Sequence, residues 1–236
     1  MSISGYQRNP IGAVIRMKTA CSSQMSLKAP RFSTSPTETA RYLERLQDLD
    51  ALGMPLLGEP ARFSLLKAAE GLSYRQAQPY LGAKGKEVRQ DFEICMEFGS
   101  NETFTGLAGS LAEHLLAASQ SLAAPPLTEP LRFNDIAVQR YLPGSDGIAP
   151  HRDFLQFRQI VVLIILTGQG RFFVCDNREG REATEVPLRP GDALLMQAPG
   201  FGGQNRRPFH FLRDITERRV IVGLRYESKL AEPAKG

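Results

Sequence analysis

The sequence has no tryptophan, and among its 236 residues only three histidines and three cysteines. Cys21, Cys95 and Cys175 are odd in number and far apart, which excludes a disulfide framework and a paired-cysteine zinc site. They read as reduced, buried thiols of a cytoplasmic protein. Long apolar runs are missing as well. Ile160–Leu166 stops at Thr167-Gly168, well short of the roughly 18 to 20 residues that span a bilayer, so no membrane partner is expected. Acidic residues are absent from positions 1–37, where five of the 29 Lys and Arg residues lie. The remainder holds 24 basic against 25 acidic residues, a net charge of −1, so the formal charge of +4 does not describe a nucleic-acid groove. The Ser-rich, acid-free head has the composition of an organelle-targeting segment, or of an upstream extension before a start at Met25.

What is present divides the chain in two. From Thr37 to Leu52 apolar residues recur at Ala40, Leu43, Leu46 and Leu49, the spacing of an amphipathic helix, with Ser35 or Thr37 as its cap. Phe63–Gln78, stopped by Pro79, and Phe104–Leu122, with Leu107, Leu111 and Leu115 in one stripe, predict two more helices, and Ala124-Pro125-Pro126 ends the helical region. The period then becomes strand-like, with β-branched and aromatic runs at 133–141, 157–166, 171–175, 193–196 and 218–226 and Gly or Pro in the gaps. This order predicts an α+β fold, a double-stranded β-helix (jelly roll) with N-terminal helices packed on one sheet. The division is a flexible head over 1–36, a helical N-terminal part over 37–126 and the jelly-roll domain over 127–236.

Two of the three histidines fall in the strand region. His151 and Asp153 stand two apart, so on a strand both side chains would leave one face, and His210 follows 59 residues later, far enough to return on an opposing strand. Two imidazoles and one carboxylate bind iron(II) on one side and leave positions open for a cosubstrate and oxygen. A bare His-x-Asp is more often a solvated or structural pair. The third histidine and the basic strand Arg218–Tyr226 raise its weight. In that strand Arg219, Ile221, Gly223 and Arg225 share one face, and Arg218, Val220, Val222 and Leu224 the other. An arginine on a barrel's inner face needs an anion: either a buried acid such as Asp153 or Asp192, or a carboxylate ligand gripped bidentately.

Gln139-Arg140-Tyr141-Leu142-Pro143-Gly144, His151-Arg152-Asp153, Pro190-Gly191-Asp192, His210 and Arg219–Arg225, in that order, resemble the AlkB-like branch of the iron(II)/2-oxoglutarate dioxygenases over residues 133–227. The resemblance implies Fe(II) on His151, Asp153 and His210, with 2-oxoglutarate and O2 as cosubstrates. It places the far carboxylate of 2-oxoglutarate on Arg219 with Tyr141, and the near carboxylate side on Arg225 and Gln139. Ile221 departs from the pattern, standing where the family usually carries asparagine. The implied activity is hydroxylation or oxidative demethylation with release of succinate and CO2. Two other readings stand beside it: an AlkB-type nucleic-acid demethylase in particular, and a non-catalytic jelly-roll binding protein.

The positions after His-x-Asp bear on substrate. Family members that demethylate nucleobases commonly carry an acidic residue there, whereas this chain has Phe154 and Leu155, which favours a small-molecule or peptide substrate over nucleic acid. Gly200, Gly202 and Gly203 permit motion in the loop before His210, where Arg206 and Arg207 could meet an anionic substrate; a solvated turn is the alternative. His114, with no second ligand at helical spacing, reads as a satisfied or solvent-facing helix histidine, and Asp192 as a turn stabiliser.

Overall fold

A computed structural model of the chain describes residues 31–231 apart from 83 and 86. Most of the head, with Cys21 and the targeting-like composition, lies outside the described residues. Its last residues are tied down: Phe32 bridges to Leu57, and Ser35 closes a capping box with Glu38 at the start of α1 (Pro36–Leu46).

The expected first helix extended to Leu52, but α1 ends at Leu46 and β1 (Ala51–Pro55) follows. Within 51–55 the burial has a period of two, with Leu52 and Met54 in one core and Ala51 in the other, and the backbone pairs along β11 as the edge strand of its sheet. Leu49, the last apolar residue of the expected stripe, is 42% exposed. The second helix also shifts. Gly58 and Pro60 start α2 (Glu59–Glu70) early, as Pro in a first turn does, and Gly71 ends it. Short strands β2 (Arg75–Gln76), β3 (Tyr80–Leu81), β4 (Val88–Asp91) and β5 (Glu93–Cys95) come next, so the stretch expected to be helical contributes five strands. The third helix, α3 (Thr103–Gln120), lies where its leucine stripe put it, and the Thr39 hydroxyl meets His114 Nε2 at 2.8 Å, consistent with a structural histidine.

The strands after α3 are β6 (Asp135–Tyr141), β7 (Gly147–His151), β8 (Phe157–Thr167), β9 (Arg171–Cys175), β10 (Thr184–Val186), β11 (Asp192–Gln197), β12 (Phe209–Arg213) and β13 (Arg219–Glu227). They form two antiparallel sheets that enlist the early strands. The major sheet runs β1-β11-β8-β13-β6-β5-β2 and the minor sheet β10-β9-β12-β7-β4-β3. One face of the major sheet, including Val162, Ile164, Val222 and Leu224, joins Leu43, Leu65, Leu107 and Leu111 of the helices in the larger core. Its other face, with Val161, Ile165 and Ile221, meets Phe172 and Leu212 of the minor sheet in a second core. Burial of each such side chain stabilises by about 1.5 to 3 kcal/mol. Between the two sheets opens the cleft that holds the candidate site. Among the described residues no helix is long and apolar enough to cross a membrane.

Candidate metal centre and cosubstrate pocket

The minor sheet supplies the ligand set. His151 ends β7 and pairs directly with His210 of β12, and their rings lie 4.2 Å apart. That closeness depends on Gly147, at φ +73°, where a Cβ would fall 2.0 Å from the Leu212 carbonyl oxygen. Asp153 is not on the strand, as the two-residue alternation supposed. It follows β7 in the loop, which turns its carboxylate back toward the rings: Asp153 Oδ1 is 3.9 Å from His151 Nε2 and 4.0 Å from His210 Nε2.

These residues fit a metal ion. The candidate ligand atoms all lie within 4.8 Å of one another. Two metal–ligand bonds of about 2.1 Å span up to about 4.2 Å, which covers both carboxylate–imidazole separations. Each histidine is also oriented for the task. His151 Nδ1 lies 2.9 Å from the Ala149 carbonyl and His210 Nδ1 3.2 Å from that of Pro208. A carbonyl can only accept, so each Nδ1 carries the proton and each Nε2 turns its lone pair toward Asp153. Burial holds the His151 imidazole down at about 3, helped by neighbouring His210, and burial lowers His210 likewise. Burial works to raise the Asp153 carboxyl, but His210, Arg225, His151 and Arg207 outweigh it and keep that group below its ordinary value. Neutral imidazoles beside a carboxylate are the protonation states that a divalent cation requires.

The major sheet supplies the anion site. Arg219 and Tyr141 are cross-strand partners, as are Ile221 and Gln139, Gly223 and Ala137, and Arg225 and Asp135. Arg219 is 2% exposed while Arg218 faces solvent and pairs with Glu70 at 2.6 Å, so the strand register follows the alternation read in the sequence. No described acid pairs with Arg219. Its Nε has no hydrogen-bond partner and its Nη1 reaches only the Gly170 carbonyl, at 3.4 Å. Burial lowers its pKa, yet a guanidinium stays charged, and a buried cation without a partner is costly unless an anion completes it. Tyr141, whose phenol is pushed up by burial, donates to Gln139 Oε1 at 3.2 Å beside it. A carboxylate fits this cradle.

Arg225 differs. Its Nη1 lies 3.3 Å from Asp135 Oδ1, so it has an acid partner, though neither of the acids considered from the sequence, and Asp192 instead accepts the Arg189 amide of its own turn. Gly223 makes room for that guanidinium, since a Cβ there would stand 3.0 Å from Arg225 Nη1. His151, Asp153, His210, Arg219, Arg225, Tyr141 and Gln139 thus line one cavity.

The other sequence candidates lie around it. Phe154, 59% exposed, borders a larger outer cavity and Leu155, 64% exposed, a shallower cleft with Arg206 and Arg207. Arg206 is partly committed, 3.8 Å from Asp50. The glycine-rich loop before them is exposed from Gly202 to Arg206 but anchored at its start. Phe201 is buried, and the Gly202 amide donates to the Pro126 carbonyl. Sequence reasoning missed the outer wall altogether: Arg75, Gln90 and Ile94 come from β2, β4 and β5, Phe92 joins β4 to β5 and Met96 follows β5, and the only signal was a short polar–apolar alternation across 88–95.

No family model matches the chain, and no curated protein matches it. Solved structures do. A prolyl hydroxylase from Trichoplax adhaerens, in complex with a hypoxia inducible factor oxygen degradation domain peptide fragment, superposes with a TM-score of 0.62 at 14% identity, covering 84% of this chain and 94% of its own. An oxidoreductase of the 2OG-Fe(II) oxygenase family from Burkholderia pseudomallei gives 0.59 at 14% identity, covering 85% and 95%. The structure of OsALKBH1 gives 0.53 at 15% identity, covering 75% and 98%. The chain therefore has the jelly-roll fold of the iron(II)/2-oxoglutarate oxygenases, and His151, Asp153 and His210 form a group within it that could hold a metal ion.

Proposed function

We propose that the chain is an iron(II)/2-oxoglutarate dependent dioxygenase that hydroxylates or oxidatively demethylates its substrate, releasing succinate and CO2. The observation that carries this reading is the pairing of two incomplete sites in one cavity: a His-Asp-His group with inward-facing ligand atoms, and a buried arginine without an acid partner. Either alone has a structural explanation. Together they fit a metal and a dicarboxylate that chelates it.

Iron(II), when bound with 2-oxoglutarate and O2, supplies the oxidising chemistry. The chain's own residues hold and orient. His151 and His210 would present Nε2 and Asp153 its carboxylate, with the Ala149 and Pro208 carbonyls locking both rings. Arg219 would grip the far carboxylate bidentately beside the Tyr141 hydroxyl, with Gln139 and Arg225 on the near side. Apolar Leu163, Ile165, Phe172 and Ile221 keep bulk water from the pocket, which strengthens these contacts.

A small molecule or a peptide side chain is the favoured substrate over nucleic acid. Phe154 and Leu155 offer no side-chain hydrogen bond to a base, and a prolyl hydroxylase in complex with a peptide fragment is among the structures this fold matches. The test is succinate release from 2-oxoglutarate with iron(II) added or chelated. Iron-dependent succinate is the expected result. Its absence in a metal-loaded, folded protein would leave the binding-protein reading.

A further inference from the structure

The cavity outside the metal group has a chemistry of its own. It holds about 550 Å3, within the range of small-molecule pockets, and His151, Asp153 and Arg225 line it together with the early strands. Much of its wall is apolar, with Phe92, Ile94, Met96 and Phe154 among the contributors. Its charge is one-sided. The two acids in the wall are both engaged: Asp135 with Arg225 at 3.3 Å, and Asp153 in the His-Asp-His group. Arg75 and Arg152 also line it, and neither has an acid partner among the described residues. Arg152 is held in place by stacking over the Phe209 ring at 4.2 Å.

We infer that this vestibule takes a small amphipathic acid: an apolar body seated against Phe92, Ile94 and Phe154, with a carboxylate, sulfonate or phosphate monoester on Arg75 and Arg152. The inference rests on the oxygenase reading for the fate of that molecule, not for its binding. Apolar burial supplies non-directional affinity, and guanidinium forks select the anion. A phosphodiester strand needs a track of free cations beyond the rim. Beyond the rim, Arg206 is paired with Asp50, and Arg207 beside it, in the cleft that Arg152 also lines, adds one cation rather than a track.

The test uses two dyes with the same body: 8-anilinonaphthalene-1-sulfonate, which is anionic, and N-phenyl-1-naphthylamine, which is neutral. Both are titrated by fluorescence into the full chain, with manganese(II) and 2-oxoglutarate added and again without them. The sulfonate should bind about tenfold tighter or more at low salt, the effect of one charge-assisted contact. Arg75→Gln combined with Arg152→Gln should remove that advantage and leave the neutral dye's affinity unchanged, while Arg219→Ala should leave the advantage in place. Equal binding of the two dyes, or an advantage that survives the double substitution or disappears with Arg219→Ala, overturns the inference. Displacement of the sulfonate by a single-stranded oligonucleotide at lower concentration than by naphthoate overturns it in favour of nucleic acid. None of these outcomes touches iron-dependent succinate release, so the oxygenase reading and this one can fail separately.

Discussion

The two sheets divide the labour unequally. The central strands of the major sheet, β8 and β13, are buried along most of their length on both faces, one packed against the helices and the other against the minor sheet. The minor sheet is buried more thinly: apart from the second core it has only the small cluster of Phe173, Cys175 and Phe211, and its strands β3, β4 and β7 are largely half-buried or exposed. The more deeply buried layer carries the anion cradle of Arg219 and Tyr141, and the other carries His151 and His210. Stability and ligand set are thereby separated. Substitutions at the metal group should cost chemistry, and substitutions in the major sheet should cost the fold.

The sharpest break in that contrast comes from the ligands. His151→Ala, Asp153→Ala and His210→Ala should each abolish iron-dependent turnover and bound metal while the circular dichroism spectrum stays native. Full activity in His210→Ala would remove it from the site. In the major sheet, Ile164→Ala should cost about 2 to 5 kcal/mol in urea denaturation. Val174→Ala, half-buried in the minor sheet, should cost less than half as much; equal costs would erase the distinction between the layers.

Within β13 the contrast narrows to adjacent residues. Arg219→Ala should raise the 2-oxoglutarate requirement by roughly one to two decades, the loss of a charge-assisted contact worth about 1.5 to 3 kcal/mol, and Arg218→Ala should do much less. An exchange of phenotypes would shift the register by one. Acid should act through the minor sheet. His151 and His210 are neutral when folded and take up protons when unfolded, so the metal-free protein should lose stability as pH falls below about 6.5. The slope is at most about 1.4 kcal/mol per pH unit for each histidine. Loss of the Asp153 charge at lower pH adds in the same direction. His151→Phe should flatten this profile in thermal melts. The smallest effect is expected from Gly223→Ala, whose Cβ would press on the Arg225 guanidinium at 3.0 Å. A flexible side-chain end can give way, so stability should change by less than about 1 kcal/mol, with a several-fold loss in turnover.

The same division explains what was legible in the sequence. The residues of β8, β9, β11 and β13 announced themselves by apolar, β-branched runs, because burial on two faces leaves little room for polar residues. Arg219 stood out as a charge on a buried face. Apart from β9, the minor-sheet strands were silent: β7 is five residues long and contains Pro150, β12 follows Pro208, and β3, like the major-sheet edge strand β2, is only two residues long. Their pairing partners come from distant parts of the chain, and no local pattern encodes such a contact. β1 was hidden for another reason. Leu49 before it and its own Leu52 continue the helical spacing of α1, and only pairing with β11 makes the extended form better. The ligand set was visible because histidine is scarce, although the loop position of Asp153 was not. The Arg225–Asp135 pair is a cross-strand contact, which spacing along one strand cannot reveal.

Anaerobic addition of iron(II) and then 2-oxoglutarate, followed in the visible region, tests the joined metal and carboxylate site most directly. A weak metal-to-ligand charge-transfer band should appear only when both are present, vanish in His210→Ala, and require far more 2-oxoglutarate in Arg219→Ala. A folded, iron-loaded protein that shows no such band at saturating 2-oxoglutarate would contradict the account.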